Sequence, residues 1–549
     1  MTKKKETTIK DDPAQVIADY RLAYQSRQAS IIGRREVLTG KAQFGIFGDG
    51  KELAQIAIAH ANQKGDWRSG YYRDQTWMMA LDLLPLEQFF AGIYGTADPE
   101  LNPHNAGRNM NNHFSSVLLD EDGHWLPQTD RYNSASDMAS VAAQMPRSVG
   151  LSYASVLYRQ LEELKEFSDF SHNGDEVTWV TIGNASTAEG PFWETVNAIG
   201  VLHAPAVITI YDDGYGISVP NQFQMGKENI SAILKGFQRD PCPADECDKG
   251  YDLYSVKAWD YTALLETYQE AAEIARKHHI PALVHVTEAT QPLGHSTSGS
   301  HERYKSEERL AWEEEFDCLA KFREWIIAEG IAEEKELEEW EKEDKRTVEQ
   351  ARKTAWEAYQ EPVIALRKEA QSLLTDLAEE SSQPEQVDQI SQSLNEIPVL
   401  QSNDIAAALH KSLVLTREEP SKAREEVKKF ADQLEADNLS TYNTHLYSET
   451  DQSPRKVAAV APEYSDDSPT MMGFEVLNAA FDAAFERDPR LIAFGEDVGM
   501  LGGVNQGMRA LQDKYGLLRV TDTGIREATI LGQAIGMALR GLHPICEMQ

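Results

Sequence analysis

Two polar loops, thirty residues apart, carry the residue types that bind a phosphate group together with a metal ion. Residues 179–190, WVTIGNASTAEG, have the pattern of a β-branched strand, a loop of small residues and a helix. Asp213 follows a second apolar run in AVITIYDDGYGISVP. In a parallel sheet both loops fall at the carboxyl edge, where ligands bind. A helix that begins after the first loop directs free N–H groups to the same place, so the sequence predicts a phosphate site there.

The predicted metal ligands are three oxygen atoms from these loops. Mg²⁺ prefers octahedral oxygen coordination by carboxylates, phosphates and water. The Oδ1 of Asn184, the carboxylate of Asp213 and the backbone carbonyl of Tyr215 supply atoms of this kind. The first loop therefore offers a neutral amide, and the carboxylate comes from the second loop.

The strands that position these loops belong to a predicted α/β domain at residues 1–305. Apolar runs such as EVTWVTI, PAVITIY and PALVHVT alternate with helical patterns such as ALLETYQEAAEIARKHH. This alternation is typical of a parallel sheet with crossover helices. We therefore expect an α/β fold in which helices flank a parallel sheet.

The remaining sequence divides into three segments. Residues 306–380 are rich in charge and predict an acidic helical extension with one apolar face. That face contains Leu337, Trp340, Val348, Ala351, Ala355 and Tyr359. Residues 381–467 are polar, with scattered Pro and Ser, and predict a partly ordered linker with a few weak helices. Residues 468–549 again alternate helix and strand, and we expect an incomplete α/β domain, since a domain usually needs more than about 80 residues.

Charge and composition limit the classes of partner. The 549 residues carry a formal net charge of −36, which disfavours binding to nucleic acid and to anionic membranes. No apolar run reaches the length of about 18 residues that a membrane span needs. The first residues, MTKKKETTIKDDPAQ, lack the apolar core of a secretory signal. Four cysteines are few for this length, so we expect a reduced, cytoplasmic protein.

The two loops resemble those of the α subunit of 2-oxo acid dehydrogenase E1 components, the thiamine-diphosphate enzymes of the branched-chain and pyruvate dehydrogenase complexes. That family has GDG or GEG in the first loop and NN-x-Y/W in the second. This chain has GNASTAEG and DDGYGISVP. The resemblance implies a thiamine-diphosphate-binding fold with thiamine diphosphate and Mg²⁺ as cofactors. The family's acid falls on Asn184 and its second asparagine on Asp213, so we interpret the metal site as one whose two ligands are exchanged.

Four further segments resemble family elements in the same order: YYRDQT, GRNMNNHF, ASVAAQMP and LGHSTSGSHERYKS. By this resemblance Tyr72 and Arg73 contact the diphosphate, and Val141 supports the bent cofactor. His113 is expected near the substrate pocket, and His295 near the cofactor phosphates. The string GDG at residues 48–50 is not the cofactor motif, because no suitable element follows about 30 residues later, and we interpret it as a turn before a helix.

The segments FGEDV and TGIREATILGQAIGMALRG resemble the opening of the E1 β subunit, which implies that Glu496 and Glu527 bind the cofactor. In the family the second glutamate bonds N1′ of the aminopyrimidine ring. A carboxylate at this atom stabilises the imino tautomer that accepts the C2 proton of the thiazolium. Without the resemblance, Glu527 would be a helix N-terminal acid favoured by the macrodipole. The full predicted cofactor site is Tyr72, Arg73, Val141, Gly183, Asn184, Ala185, Tyr211, Asp213, Tyr215, Ile217, His295, Glu496 and Glu527.

The chain thus resembles an α–β fusion of E1 that breaks off early in its β half. The implied activity is oxidative decarboxylation of a 2-oxo acid and acyl transfer to the lipoyl group of an E2 acyltransferase. Glu527 would act in catalysis, with His113 and His295 positioning the substrate and the lipoyl group. A dimer of fusions is expected, and the strings GRxM and ISVP favour a branched-chain substrate. The alternatives are a pyruvate or acetoin E1, a transketolase-like or synthase enzyme, and a non-catalytic scaffold subunit.

Overall fold

The computed structural model describes residues 12–243, 249–443 and 446–549. Its helices are α1 (Pro13–Leu38), α2 (Glu52–Ala61), α3 (Gln75–Ala80), α4 (Leu86–Tyr94), α5 (Gln144–Gln160), α6 (Gly190–Leu202), α7 (Ile230–Leu234), α8 (Tyr261–His278), α9 (Glu307–Glu315), α10 (Cys318–Ala328), α11 (Glu334–Glu380), α12 (Pro384–Glu396), α13 (Ser402–Leu415), α14 (Lys422–Asn443), α15 (Gly473–Arg487), α16 (Leu511–Tyr515) and α17 (Glu527–Leu539). Its strands are β1 (Trp67–Ser69), β2 (Asn133–Ser134), β3 (Thr178–Gly183), β4 (Ala206–Tyr211), β5 (Tyr215–Gly216), β6 (Val219–Pro220), β7 (Asp252–Lys257), β8 (Ala282–Thr287), β9 (Leu491–Gly495), β10 (Val520–Asp522) and β11 (His543–Glu547).

The main sheet has the strand order β2-β1-β3-β4-β8-β7, and every pair in it is parallel. The three apolar runs of the sequence form β3, β4 and β8, so the predicted parallel sheet is confirmed. Successive residues of β4 enter two different cores, as the period of a strand requires. Val207 and Tyr211 pack with α2 and α8, whereas Ile208 and Ile210 pack with α5 and α6. Helices therefore cover both faces of the sheet.

Residues 468–549 form a smaller parallel sheet, β10-β9-β11, that docks on the first domain through α17. Helices α17 and α5 approach closely because glycines face the opposing backbone. A Cβ on Gly150 would lie 1.9 Å from the carbonyl oxygen of Gln533, and one on Gly536 would lie 2.1 Å from that of Arg147. The buried guanidinium of Arg540, just beyond α17, forms a 2.8 Å ion pair with Glu176. Backbone packing and a buried charge pair thus fix the second domain on the first.

The acidic extension forms α9, α10 and the 47-residue helix α11. The predicted apolar face of α11 is confirmed, since Leu337, Val348, Ala351 and Ala355 are buried. It packs against α1 and α4 of the first domain.

The structure differs from the expected linker at residues 384–443, where α12, α13 and α14 pack against the second half of α11. Their core includes Leu374, Val387, Leu409 and Val427. Helices α12 and α14 are polar, whereas α13 is largely apolar. Their stability comes from packing on one another and on α11, which the pattern of one helix alone does not reveal. Within residues 446–472, the structure contains one 3₁₀ turn at Pro454–Lys456 and no other helix or strand. The domain division at residues 305, 380 and 467 stays a prediction.

The described part of the chain contains no helix whose length and apolar character would let it cross a bilayer.

Candidate functional site

A cavity of 440 Å³ opens at the carboxyl edge of the main sheet, where β3 and β4 end. The residues predicted from the sequence that line it are Tyr72, Arg73, Val141, Gly183, Asn184, Ala185, Tyr211, Asp213, Tyr215, Ile217 and His295. The two loops thus meet as the parallel-sheet argument requires. What each residue binds there stays a prediction.

The first loop leaves β3 at Gly183 and continues as a 3₁₀ helix, Asn184–Ala188, before α6 begins. The side-chain amide of Asn184 donates to Oδ1 of Asn221 over 2.6 Å, and the amide of Asn221 donates to Oδ1 of Asp212 over 3.0 Å. This chain of hydrogen bonds fixes the orientation of Asn184. Because its Nδ2 is engaged by Asn221, its Oδ1 is the atom left for a cation.

The second loop directs one of its two aspartates at the cavity. Oδ1 of Asp213 accepts from the backbone N–H of Tyr215 over 3.1 Å, and its Oδ2 lies 3.6 Å from Nζ of Lys51. Burial alone would raise the pKa of Asp213, but Lys51, Arg73 and Lys305 together hold that pKa below its ordinary value. The side chain of Asp213 is therefore a carboxylate anion at neutral pH.

Asp212 points away from the cavity. Its Oδ2 lies 3.0 Å from Nε2 of His285, and its Oδ1 accepts from the backbone N–H of Gly214 over 2.9 Å. The cavity lining consequently contains one carboxylate, that of Asp213, among the described residues.

Arg73 and His295 are hydrogen-bonded to each other on the cavity wall. Nη2 of Arg73 donates to Nδ1 of His295 over 3.1 Å and to its carbonyl oxygen over 3.0 Å. Because an arginine is a donor only, the ring proton of His295 resides on Nε2. Burial, with the neighbouring charges of Arg73 and Lys51, lowers the pKa of His295 to about 4. His295 is thus a neutral N–H donor at neutral pH.

His113 lies beside this wall without lining the cavity. Its ring is buried and stacks 6.4 Å from the ring of Tyr72. Nδ1 is 3.2 Å from the carbonyl oxygen of Asn111, while the buried Nε2 has no hydrogen-bond partner. His113 therefore lies behind Tyr72, which lines the cavity. It would contact a molecule in the cavity directly only if the cavity wall moved.

Lys51 and Lys305 are cavity cations that sequence reasoning missed. The string at residues 48–50 is a turn before α2, as predicted. The tightness of that turn carries Lys51 into the cavity: Gly50 has φ +83°, and a Cβ there would lie 2.1 Å from the carbonyl oxygen of Thr290. The signal available in the sequence was a lysine directly before an apolar helix.

Glu496 and Glu527 do not reach the cavity within one chain, whose described lining contains no residue of 468–549. Glu527 is exposed at the first turn of α17, and the side chain of Ile525 beside it is 85% exposed. Glu496 follows β9, and its Oε2 accepts from the backbone N–H of Gln549 over 3.3 Å. The physical reason is the packing of α17 on α5, which leaves the start of α17 facing solvent.

The cationic side chains and the oxygen atoms that line the cavity fit a diphosphate bound together with a hard cation. Three cationic side chains, Lys51, Arg73 and Lys305, line it. The hydroxyl of Tyr211 and Nε2 of Gln291 are buried there without a partner, and such atoms are costly unless a ligand satisfies them. Among the described residues no group of three or more His, Cys, Asp and Glu could hold a metal. The candidate ligands are instead amide, carboxylate and carbonyl oxygens. Mg²⁺ binds a few protein oxygens of this kind and completes its coordination with phosphate and water.

Comparison with protein families identifies both halves of the chain. The family Dehydrogenase E1 component matches residues 20–364, and the family "Transketolase, pyrimidine binding domain" matches residues 470–549. The chain belongs to the dehydrogenase E1 component family. The helices α12, α13 and α14 lie between the two matched regions.

Known relatives resemble the two halves separately. The 2-oxoisovalerate dehydrogenase subunit alpha of Bacillus subtilis is 25% identical over 294 residues, 53% of this chain and 76% of that protein. The pyruvate dehydrogenase E1 component subunit beta of Acholeplasma laidlawii is 51% identical over 75 residues, 14% of this chain and 23% of that protein. The 2-oxoisovalerate dehydrogenase subunit beta of Pseudomonas aeruginosa is 44% identical over 80 residues, 15% of this chain and 23% of that protein. The chain thus spans about a quarter of the length of the β subunits that it resembles.

Proposed function

We propose that the chain acts as an E1 component that uses thiamine diphosphate and Mg²⁺ to decarboxylate a 2-oxo acid and transfer the acyl group to the lipoyl group of an E2 acyltransferase. The observation that carries this proposal is the cationic cavity at the carboxyl ends of β3 and β4, in a chain that combines E1 and pyrimidine-binding domains. When bound, the thiazolium of the cofactor supplies the electron sink for loss of CO₂.

The side chains of the cavity have separate proposed roles. Arg73 and the Nε2–H of His295 hold the diphosphate, and the N–H groups at the start of the first loop add to this site. Oδ1 of Asn184, the carboxylate of Asp213 and the carbonyl of Tyr215 hold Mg²⁺. Because Asp213 remains ionised, the site keeps one negative protein ligand for the metal.

Glu527 is proposed to reach the aminopyrimidine from a second copy of the chain. The residue is exposed, and Ile525, Leu531 and Ile535 beside it expose apolar surface. A homodimer of fusions that buries this surface would bring Glu527 to the cavity of the partner, where its carboxyl group would share a proton with N1′ of the aminopyrimidine. We also propose a cytoplasmic location, supported by the low cysteine content. The disulfide at Cys242 differs from the reduced state that the sequence predicts.

A branched-chain 2-oxo acid is the proposed substrate. The cavity wall includes the apolar side chains of Phe44, Ile46, Met110, Val141 and Ile217, which suit a branched aliphatic group. The α-subunit relative is named a 2-oxoisovalerate dehydrogenase, whereas the β segment has relatives of both substrate classes. Pyruvate is therefore the second candidate.

Two measurements on the full chain test this function. Calorimetric titration with thiamine diphosphate in the presence of Mg²⁺ should give saturable binding, and the absence of both heat and thermal stabilisation would refute the cofactor. A comparison of 2-oxoisovalerate with pyruvate, with a dye as electron acceptor, should favour 2-oxoisovalerate. Equal rates, or activity with pyruvate alone, would overturn the proposed substrate. Binding without turnover, in assays that include E2, would favour the scaffold function, for which α12, α13 and α14 offer a surface outside the matched families.

A further inference from the structure

Lys51 is a buried cation that neither the two loops nor the family motifs account for. Its side chain is 2% exposed, and it lines the cavity. Burial of a charge is costly unless the group is paired and hydrogen-bonded. Nζ of Lys51 donates to the carbonyl oxygen of Thr290 over 2.7 Å and to Oε1 of Gln291. These two acceptors hold the ammonium group in one position.

The ammonium group has three N–H donors, and the third has no acceptor at a short hydrogen-bond distance. The nearest carboxylate oxygen, Oδ2 of Asp213, is 3.6 Å away, which is an ion-pair distance and too long for a hydrogen bond. The carbonyl oxygen of Asp49 lies at 3.5 Å, the outer limit for a hydrogen bond. Lys51 can therefore donate to an additional acceptor in the cavity without losing its two short contacts.

The charges around the cavity are unbalanced. Lys305 pairs with Glu313 at 2.8 Å, and Arg309 pairs with the same carboxylate at 2.7 Å. Arg73 uses its N–H groups on the carbonyl of Phe47 and on His295, and it forms no ion pair within 4.0 Å among the residues described. Two carboxyl groups, those of Asp213 and of the buried Asp49, interact with both Lys51 and Arg73, and burial raises the pKa of Asp49. Of these two carboxyl groups only Asp213 lines the cavity, so the described lining presents three cationic side chains and one carboxylate, in a chain whose formal net charge is −36.

We infer that Lys51 binds the cofactor diphosphate directly and shares Asp213 with the metal ion, so that a large part of the cofactor affinity persists without Mg²⁺. This inference rests on the proposed cofactor. When Mg²⁺ is absent, Asp213 stays paired with Lys51 and is not left as an isolated negative charge beside the phosphates. Lys51 and Arg73 then supply charge-assisted hydrogen bonds to the diphosphate, and these are stronger than neutral ones.

The test is calorimetric titration of the full chain with thiamine diphosphate, in Mg²⁺ and in EDTA, for the wild type and three variants. Lys51→Gln removes the charge, Lys51→Arg keeps it, and Lys64→Gln is the matched control at an exposed lysine outside the cavity. In EDTA we expect Lys51→Gln to lose at least about tenfold in affinity relative to the wild type, with a smaller loss in Mg²⁺. Lys51→Arg should recover part of the loss, and Lys64→Gln should bind as the wild type does.

Equal losses of Lys51→Gln in Mg²⁺ and in EDTA, or no loss at all, would contradict the inference while leaving the proposed function in place. No binding by the wild type in Mg²⁺ would instead refute the proposed cofactor. If circular dichroism shows that Lys51→Gln is unfolded, Asp213→Asn replaces it in the test. That variant should bind at least as tightly as the wild type in EDTA, because Lys51 is released from Asp213, and it should lose the gain that Mg²⁺ gives. Loss of binding in EDTA would overturn the role of Lys51.

Discussion

Gly183 and Tyr211 are register partners at the ends of neighbouring parallel strands, β3 and β4. The next residues along both strands therefore leave the sheet side by side, which places Asn184 and Asp213 on one cavity. Asp212 directly precedes Asp213 in the second loop, but its hydrogen bonds with His285 and Asn221 hold it away from the cavity. The cavity consequently receives one amide oxygen and one carboxylate, the combination that the family loops supply in the reverse order.

The predicted exchange of the two metal ligands is testable by mutation. Asp213→Ala should lower the affinity for thiamine diphosphate in Mg²⁺ by at least about tenfold, because the only anionic ligand that the described lining offers is removed. The double variant Asn184→Asp with Asp213→Asn should keep most of the affinity, since it restores one carboxylate and one amide. Calorimetry in Mg²⁺ measures both. Asn184→Asp alone is the control, and a double variant as weak as Asp213→Ala would refute the exchange.

Much of this site follows from the sequence because its determinants are local. Apolar runs define β3 and β4, parallel pairing places their ends together, and the small residues of the first loop lead into α6. The position of Lys51 was not predictable in this way. It depends on the contact of Gly50 with the backbone of Thr290, 240 residues later, for which the sequence contains no periodic signal.

The same limit explains two other differences. The helices α12 and α14 are polar while α13 is largely apolar, and their joint packing on α11 buries a core. The orientation of Glu527 depends on the glycine contacts between α17 and α5, which join residues far apart in the chain. Secondary structure was therefore more predictable than the placement of one element on another.

Gly536→Ala should loosen the docking of the second domain. Alanine normally favours a helix over glycine, but here the added Cβ would lie 2.1 Å from the carbonyl oxygen of Arg147. Overpacking of this kind costs about 1–3 kcal/mol, so we expect a lower thermal midpoint and faster proteolysis between residues 446 and 472. Gly473→Ala is the matched control, because that helical glycine has open space around it. Equal stability of both variants would show that the α5–α17 contact does not hold the domain.

Acid should destabilise the first domain through His279. Burial, with the positive charge of Arg159, lowers the pKa of this histidine from 6.5 to about 4, although Glu176 and the acceptor Gly174 act in the opposite direction. The unfolded chain therefore binds a proton that the folded chain excludes. The stabilisation is complete above pH 6.5 and is lost as the pH falls toward 4. The difference corresponds to about 3 kcal/mol.

This pH dependence is measurable by urea unfolding at pH 7.5 and pH 5. The wild type should lose more stability between these conditions than His279→Asn, which does not titrate and tolerates the left-handed backbone found there (φ +57°). At pH 7.5 the variant should be the less stable protein, because it alters the 2.8 Å hydrogen bond to Gly174. The same change with pH in both proteins would assign the acid sensitivity to other groups.

The proposed sharing of the site between two copies predicts complementation. Arg73→Gln impairs the diphosphate half of the site, and Glu527→Gln impairs the pyrimidine half, so each variant alone should lose about 100-fold or more in kcat. In a mixed dimer one cavity combines the intact Arg73 of one chain with the intact Glu527 of the other. Co-expression of the two variants should therefore restore a measurable share of wild-type activity. If the site formed within one chain, every cavity of the mixed dimer would contain one of the two changes, and the mixture would stay inactive. Size-exclusion chromatography of each variant checks that neither substitution has prevented dimer formation.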